Sequence, residues 1–136
     1  MAFSKHWKTN WELKSLSFDQ LFNVLVEVIT KQLDEIKKEE IQLEKNLIVD
    51  YEADSVDIVA MLLLLEDLFQ NPANPTRIVV PTNQLGEVSL VEDLFDIIYE
   101  ALLEVEKKGD QKIEPNFEIF QKQKKVGELY QKSTDS

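Results

Sequence analysis

Ser55 stands between Asp54 and Asp57, where the polar run Asp50-Tyr51-Glu52-Ala53-Asp54 gives way to the apolar run Ile58 to Leu65. Aspartate is a favoured N-cap, so Asp54 predicts a helix that begins at Ser55 and carries the serine hydroxyl in its first turn. A helix N-terminus offers unpaired backbone N–H groups and the positive end of the helix dipole, which suit an anion and especially a phosphate ester. The preceding segment holds no glycine, so a phosphate-cradling nucleotide loop is not expected. These residues can offer an exposed hydroxyl, in acidic surroundings, at a helix end suited to a covalent phosphodiester.

Other chemistries lack the residues they need. The chain has no cysteine and one histidine, His6 in the polar N-terminal stretch. That excludes disulfides, thiolate metal sites and a cysteine nucleophile, and it argues against a histidine-based triad or a multi-histidine metal site. Asp50, Glu52 and Asp54 alternate as calcium ligands do, but Ser55 stands where the calcium loop needs glycine and Met61 where it needs glutamate. The other acids form no pattern of paired general acid and base. No catalytic residue and no metal ligand is expected, which argues against a stand-alone enzyme. A net charge of −11 disfavours nucleic acid as a partner, because phosphates would be repelled. The longest apolar run, Ile58 to Leu65, is too short to span a bilayer. The N-terminus shows no secretory h-region, so a cytoplasmic protein is expected.

Hydrophobic residues make up 43% of the chain, with three glycines and four prolines in 136 residues. This composition favours an all-α globular protein. Ser17 and Gln20 form a capping-box pattern, and Leu21, Phe22, Leu25, Val28, Ile29 and Leu33 recur at helical steps. They predict a first helix ending near Asp34–Lys37, followed by a charged loop. The second helix is predicted from Ser55 to about Phe69, with Val59, Leu62, Leu63 and Phe69 on one face. Met61, Leu64, Leu65 and Leu68 form a second stripe, so this helix is apolar around most of its circumference. The two prolines of Gln70–Arg77 stop it in a turn-rich loop. Ile78–Val80 reads as extended, and Pro81–Gly86 as a short third helix. Ser89 and Glu92 form another capping-box pattern, opening a last helix with Leu94, Phe95, Ile98, Leu102 and Val105 inward and Gly109 at its end. Pro115, Phe117, Phe120 and Tyr130 suggest a further C-terminal helix, with residues 133–136 frayed.

Charge divides the chain. Residues 19–106 hold five basic and twenty acidic side chains, whereas residues 1–18 and 107–136 are each weakly basic, at +2. Three parts are therefore expected: an N-terminal extension over 1–16, a compact domain over 17–106 and a C-terminal extension over 107–136. Trp7 and Trp11, four apart, read as a helical pair in an arm that docks partly on the domain.

Ala53-Asp54-Ser55-Val56-Asp57 resembles the Asp-Ser-Leu modification motif of acyl carrier proteins. The resemblance runs from about Phe18 to Glu106. It takes in the lead-in Asn46-Leu47-Ile48-Val49-Asp50, the helix end Leu65-Glu66-Asp67-Leu68-Phe69, the segment Ile78-Val79-Val80-Pro81 and the helix entry Val88-Ser89-Leu90-Val91. It implies an acyl-carrier-protein-like four-helix bundle and a monomeric carrier that is not an enzyme. It also implies 4′-phosphopantetheine attached to Ser55 by a phosphopantetheinyl transferase, with Asp54 as N-cap and transferase contact. An acyl intermediate would ride on that arm as a thioester, for acyl synthases and acyltransferases of fatty acid, lipid or secondary-metabolite biosynthesis. The resemblance makes Val56, Asp57, Glu66 and Asp67 the partner-docking positions. The chain departs from the pattern at Glu52, where glycine is usual, at Ala60 and Leu68, where acids are common, in the longer proline loop and at both extended ends. These departures favour a specialised carrier over a housekeeping one. The alternative is a carrier-derived helical adaptor that is never modified and acts by protein binding only.

Overall fold

The computed structural model describes residues 5–69, 82–109, 113–118 and 120. The expected proline loop, the extended 78–80 segment, the C-terminal helix beyond Phe120 and the frayed end lie outside the described residues. Among the described residues three α-helices carry the fold: α1 (Phe18–Gln32), α2 (Ser55–Leu68) and α3 (Val91–Lys108). The expected short third helix is a 3₁₀ helix over Thr82–Glu87. Among the described residues there is no β-sheet, only one isolated antiparallel bridge between Asn46 and Leu90. The described residues thus fold as helices, as a carrier-like bundle requires.

The Ser17–Gln20 capping box forms as expected. Gln20 N–H donates to Ser17 Oγ at 3.2 Å, and Ser17 N–H donates to Gln20 Oε1 at 2.8 Å. Helix α1 stops at Gln32, short of the expected end, because Leu33 leaves helical geometry (φ −113°, ψ 77°) and packs partly against the core. Leu21, Val24, Leu25, Val28 and Ile29 form its buried face. It lies against both α2 and α3, and the 3₁₀ helix packs on α2.

The entry to α3 differs from the expected Ser89–Glu92 box. Ser89 N–H, Ser89 Oγ and Leu90 N–H all donate to Asp93 Oδ2, at 3.0, 3.2 and 2.9 Å. Asp93 takes the capping role because the helix starts at Val91, which makes Asp93 its third residue. Glu92 is left for the N-terminal segment. Gly109 follows Lys108 in extended geometry (φ −152°), so no left-handed glycine cap closes this helix.

The N-terminal segment is bound into the core. Trp7, Leu13 and Leu16 are buried with the helices. Of its described residues only His6–Lys8 is helical, in a 3₁₀ turn, so Trp7 and Trp11 do not pair along a helix. They join instead through the rings of Phe95, at 4.4 and 6.0 Å between centroids, and Trp11 lies 4.8 Å from Tyr99. A polar clasp closes over this aromatic group. Trp7 Nε1 and Lys5 N–H each donate to Asp96 Oδ1 at 2.9 Å. Lys5 Nζ meets Glu92 at 3.0 Å and Asp93 at 2.8 Å, and Lys8 Nζ meets Glu92 at 2.7 Å. Burial pushes the Asp96 carboxyl up, and the two N–H donors only partly offset it. Burial also acts on Asp93, but the Lys5 ammonium and the N–H groups of Leu90 and Ser89 outweigh it and hold this carboxyl below the usual range. Desolvation and charge pairing thus decide opposite outcomes three residues apart.

The C-terminal segment also joins the core. Ile113 is buried, and its N–H donates to Ser15 Oγ at 3.3 Å. Asn116 N–H donates to the carbonyl of Leu68 at 2.7 Å, supplying one of the donors that the last turn of α2 lacks. Phe120 packs partly against the core, and its carbonyl accepts from Lys31 Nζ at 2.8 Å. A cavity of about 340 Å³ lies between this segment and the first half of α1, lined by Ser15, Gln20, Asn23, Val24 and Phe117.

Candidate functional site at the start of helix α2

The loop that delivers Ser55 is held by its own polar side chains. Asn46 Oδ1 accepts from Ile48 N–H and Val49 N–H, both at 2.9 Å, while Asp50 Oδ2 accepts from Asn46 N–H at 2.8 Å. Such Asx-type bonds replace a backbone ladder in a tight turn. The Tyr51 hydroxyl donates to the Glu40 carbonyl at 2.7 Å and accepts from Gln42 N–H at 3.1 Å, tying the turn to the α1–α2 connection. Burial raises the Tyr51 phenol above its ordinary pKa, so it remains a donor. Leu47 N–H donates to the Ser89 carbonyl at 2.7 Å, and Ala53 N–H donates to the Leu47 carbonyl at 2.9 Å. The lead-in is thereby pinned to the start of α3 on one side and to the start of α2 on the other.

Between these anchors the chain turns at Glu52, whose φ is 60°. This is the left-handed region, where a side chain crowds the backbone and glycine is the natural occupant. The departure noticed at this position is therefore a strained one.

Asp54 caps α2. Asp57 N–H donates to Asp54 Oδ1 at 2.9 Å, and Asp54 N–H donates to Asp57 Oδ2 at 3.0 Å. A cap of this kind stabilises a helix by about 1 kcal/mol. Asp57 also accepts from Gln32 Nε2 at 3.0 Å, joining the first turn of α2 to the last turn of α1. Asp57 is thus half-buried and holds the helix start in place, a commitment the sequence reading did not see. Gln32, the residue that orients it, carried no signal in the sequence.

Ser55 is exposed at the first helical position. Its own N–H and that of Val56 have no acceptor within the helix, whereas that of Asp57 is taken by Asp54. A serine-linked phosphodiester therefore fits here: an accessible oxygen for attachment and two first-turn N–H groups for the phosphate. Asp54 and Asp57 work against that anion by charge, so the N–H groups and dipole must outweigh two capping carboxylates.

The outward face of α2 is apolar. Leu63, on the first predicted stripe, is 52% exposed, and Val56 is 71% exposed. The second stripe, Met61, Leu64, Leu65 and Leu68, is buried throughout, and Leu62 and Phe69 of the first stripe are buried with it. Val56 and Leu63 lie two turns apart, with half-buried Val59 and Ala60 between them. Glu66 and Asp67, half-buried, follow this ridge at the far end of the helix. Ile48 and Val49 add exposed apolar surface in the lead-in loop. The cavity near Asn23 belongs to the other end of α1 from Gln32 and is separate from this site. Among the described residues no group of acids and histidine could hold a metal ion, and no helix is long and apolar enough to cross a membrane.

Among curated proteins the chain is similar to the acyl carrier protein of Borrelia garinii subsp. bavariensis. The two are 32% identical over 80 residues, covering 59% of this chain and 90% of that protein. It is also similar to the acyl carrier proteins of Syntrophobacter fumaroxidans (31% identical over 74 residues, 54% and 82% coverage) and Coprothermobacter proteolyticus (31% over 81 residues, 60% and 84%). No family model matches the chain, and no solved structure matches it.

Proposed function

The chain belongs to the acyl carrier protein family, a family of carriers rather than enzymes. On that premise we propose that it carries an acyl intermediate on 4′-phosphopantetheine attached to Ser55. The observation that supports this reading is the exposed Ser55 hydroxyl at the capped start of α2, beside the two free first-turn N–H groups. The prosthetic group would supply the thiol that this cysteine-free chain lacks, and with it a thioester link to the acyl cargo.

Each local residue then has a role that its geometry allows. Asp54 caps the helix and presents a carboxylate to the loading transferase. Asp57 holds the Ser55 end of α2 against α1 through Gln32. Val56, one residue after the attachment point, would be the first apolar contact for a partner, with Glu66 and Asp67 contributing charge at the far end of the helix. The partners would be a phosphopantetheinyl transferase and acyl synthases or acyltransferases of fatty acid, lipid or secondary-metabolite pathways. The protein would act as a cytoplasmic monomer. Tethering serves this function because a linked substrate reaches each active site at a high effective concentration.

Intact mass after co-expression with a broad-specificity phosphopantetheinyl transferase tests the proposal. One phosphopantetheine should be gained by the wild type and none by Ser55→Ala. If several transferases leave the wild-type mass unchanged, the carrier reading fails, and an unmodified helical adaptor acting by protein binding takes its place.

A further inference from the structure

We propose that Gln32 is a positioning residue for the modification of Ser55: its side-chain amide locks the Asp57 carboxylate, so that the first-turn N–H groups of α2 stay open to a phosphate. The inference rests on the carrier reading and adds to it a residue from another helix. Gln32 closes α1, and Leu33 after it leaves helical geometry. Its Nε2 donates to Asp57 Oδ1 at 3.0 Å, across 25 residues of chain. Gln32 and Asp57 are both half-buried, whereas Asp54 and Ser55 are exposed.

Asp57 needs holding because of where it stands. It is the third residue of α2, and a carboxylate there is drawn to the unpaired N–H groups and the positive dipole end of the helix. Its Oδ2 accepts from Asp54 N–H at 3.0 Å. That bond alone would leave Oδ1 able to turn over the helix end and compete for the N–H groups of Ser55 and Val56, which have no acceptor within the helix. Gln32 takes Oδ1 and removes that choice. With both oxygens bonded, the carboxylate is turned towards α1, and the two N–H groups are left for an anion.

Gln32 is itself well anchored. The neighbouring Lys31 donates to the Phe120 carbonyl at 2.8 Å and lies 5.5 Å from the centre of its ring. On the other side, Leu33 N–H donates to the Ile29 carbonyl at 2.8 Å. The last turn of α1 is thus fixed on both sides of the amide that reaches Asp57. Loading forms a bond from Ser55 Oγ to phosphorus, breaks the P–O–P link of a diphosphate-linked pantetheine donor to release its nucleotide, and gives the hydroxyl proton to a base of the transferase. The group that arrives is an anion, and it arrives between two carboxylates. A carboxylate held towards α1 opposes it less than one free to swing across the helix end, because charge repulsion falls with distance. Gln32 acts only through Asp57 and touches neither the serine nor its cargo.

Moving the charge across the bond tests this in the full chain. Gln32→Glu sets two carboxylates against each other and should break the contact. Adding Asp57→Asn restores a pair at the original net charge: the new amide donates to the new carboxylate on α1, and its oxygen still accepts from Asp54 N–H. In the unmodified proteins, amide hydrogen exchange at Asp54 and Asp57 should be several-fold faster in Gln32→Glu and return towards the wild-type rate in the double variant. Phosphopantetheine loading of Gln32→Glu should fall about tenfold in kcat, the weight of one hydrogen bond to a charged group, with KM for the carrier changed by less than about twofold. The double variant should recover most of that loss. Unchanged exchange in Gln32→Glu, or faster exchange without a fall in kcat, would overturn the role of Gln32. A rise in KM at constant kcat would do the same by making Gln32 a transferase contact, and failure of the double variant to recover would mean that the transferase reads the Asp57 charge itself. Normal loading of both the wild type and Gln32→Glu sinks this role alone and leaves the carrier reading intact; no loading of the wild type by several transferases sinks both.

Discussion

Replacing Glu52 by glycine should stabilise the protein, although the position is exposed and the substitution removes every side-chain atom. Glu52 holds φ at 60°, where a residue with a Cβ is strained by about 1–2 kcal/mol relative to right-handed geometry. Glycine removes that strain but has more backbone freedom to lose on folding, which costs about 0.5–1 kcal/mol. The difference leaves roughly 0.5–1 kcal/mol in favour of Glu52→Gly. In a chain of 136 residues this corresponds to a rise in Tm of about 2–4 °C. Glu52→Ala is the control, because it removes the same charge and keeps the Cβ. It should stay within about 0.5 kcal/mol of the wild type, as exposed substitutions usually do. Urea and thermal unfolding of the three proteins read the effect. If Glu52→Gly is no more stable than Glu52→Ala, the left-handed turn is not strained and the reasoning fails.

Two further substitutions probe the segments on either side of the bundle. Asp96→Asn keeps an oxygen for the Lys5 and Trp7 donors while removing a buried charge, so stability at neutral pH should change by less than about 1 kcal/mol. Asp96→Ala, which strands both donors, should cost about 1–3 kcal/mol. The Asp96 carboxyl titrates above its unfolded value, chiefly through burial. Its contribution to stability is present below the unfolded pKa and is lost as pH rises through the folded one. Asp93 and Glu92 are held low by their lysine partners despite burial, so theirs is present above the unfolded pKa and is lost on acidification. Urea melts across the carboxylate range should therefore show only the acid-side loss in Asp96→Asn; an unchanged pH profile would remove Asp96 from the account. Ile113→Ala should cost about 2 kcal/mol, the lower end for a buried isoleucine, because Ile113 closes the edge of the core at 7% exposure. A cost below about 0.5 kcal/mol in the same melts would mean that Ile113 does not help to close the core.

Periodicity and caps made the helices legible. Ser17 with Gln20 and Asp54 before Ser55 set the starts of α1 and α2 through local bonds, and such bonds are written in the sequence. The start of α3 was less legible because two acids follow Ser89. Which one closes the cap depends on where the other goes, and Glu92 is drawn to Lys5 and Lys8 from more than eighty residues away. The faces of α2 were illegible for a related reason. Apolar residues surround this helix, so its periodicity could not tell Leu63 from Leu64, and packing against α1 and the 3₁₀ helix made the choice. The burial of Trp7 beneath Asp96 is a long-range contact that no local pattern encodes. At the candidate site, Ser55 and its cap were visible, but the bond from Gln32 that occupies Asp57 was not.

That bond changes how the start of α2 can be recognised. Asp54 and Asp57 face each other across the capping box, and Asp57 is turned towards α1 by Gln32, so both carboxylates have structural work beside Ser55. The apolar side chains projecting outward are Val56, in the same turn, and Leu63, two turns further along. Charge at the two ends of the helix can still steer an approaching partner, but such steering acts through solvent and fades over about 8 Å at physiological ionic strength. Burial of an exposed Val or Leu side chain brings about 1.5–3 kcal/mol when complete and does not depend on charge. The surface next to Ser55 is therefore apolar where it projects into solvent, while Asp54 and Asp57 hold the start of α2 that carries the serine.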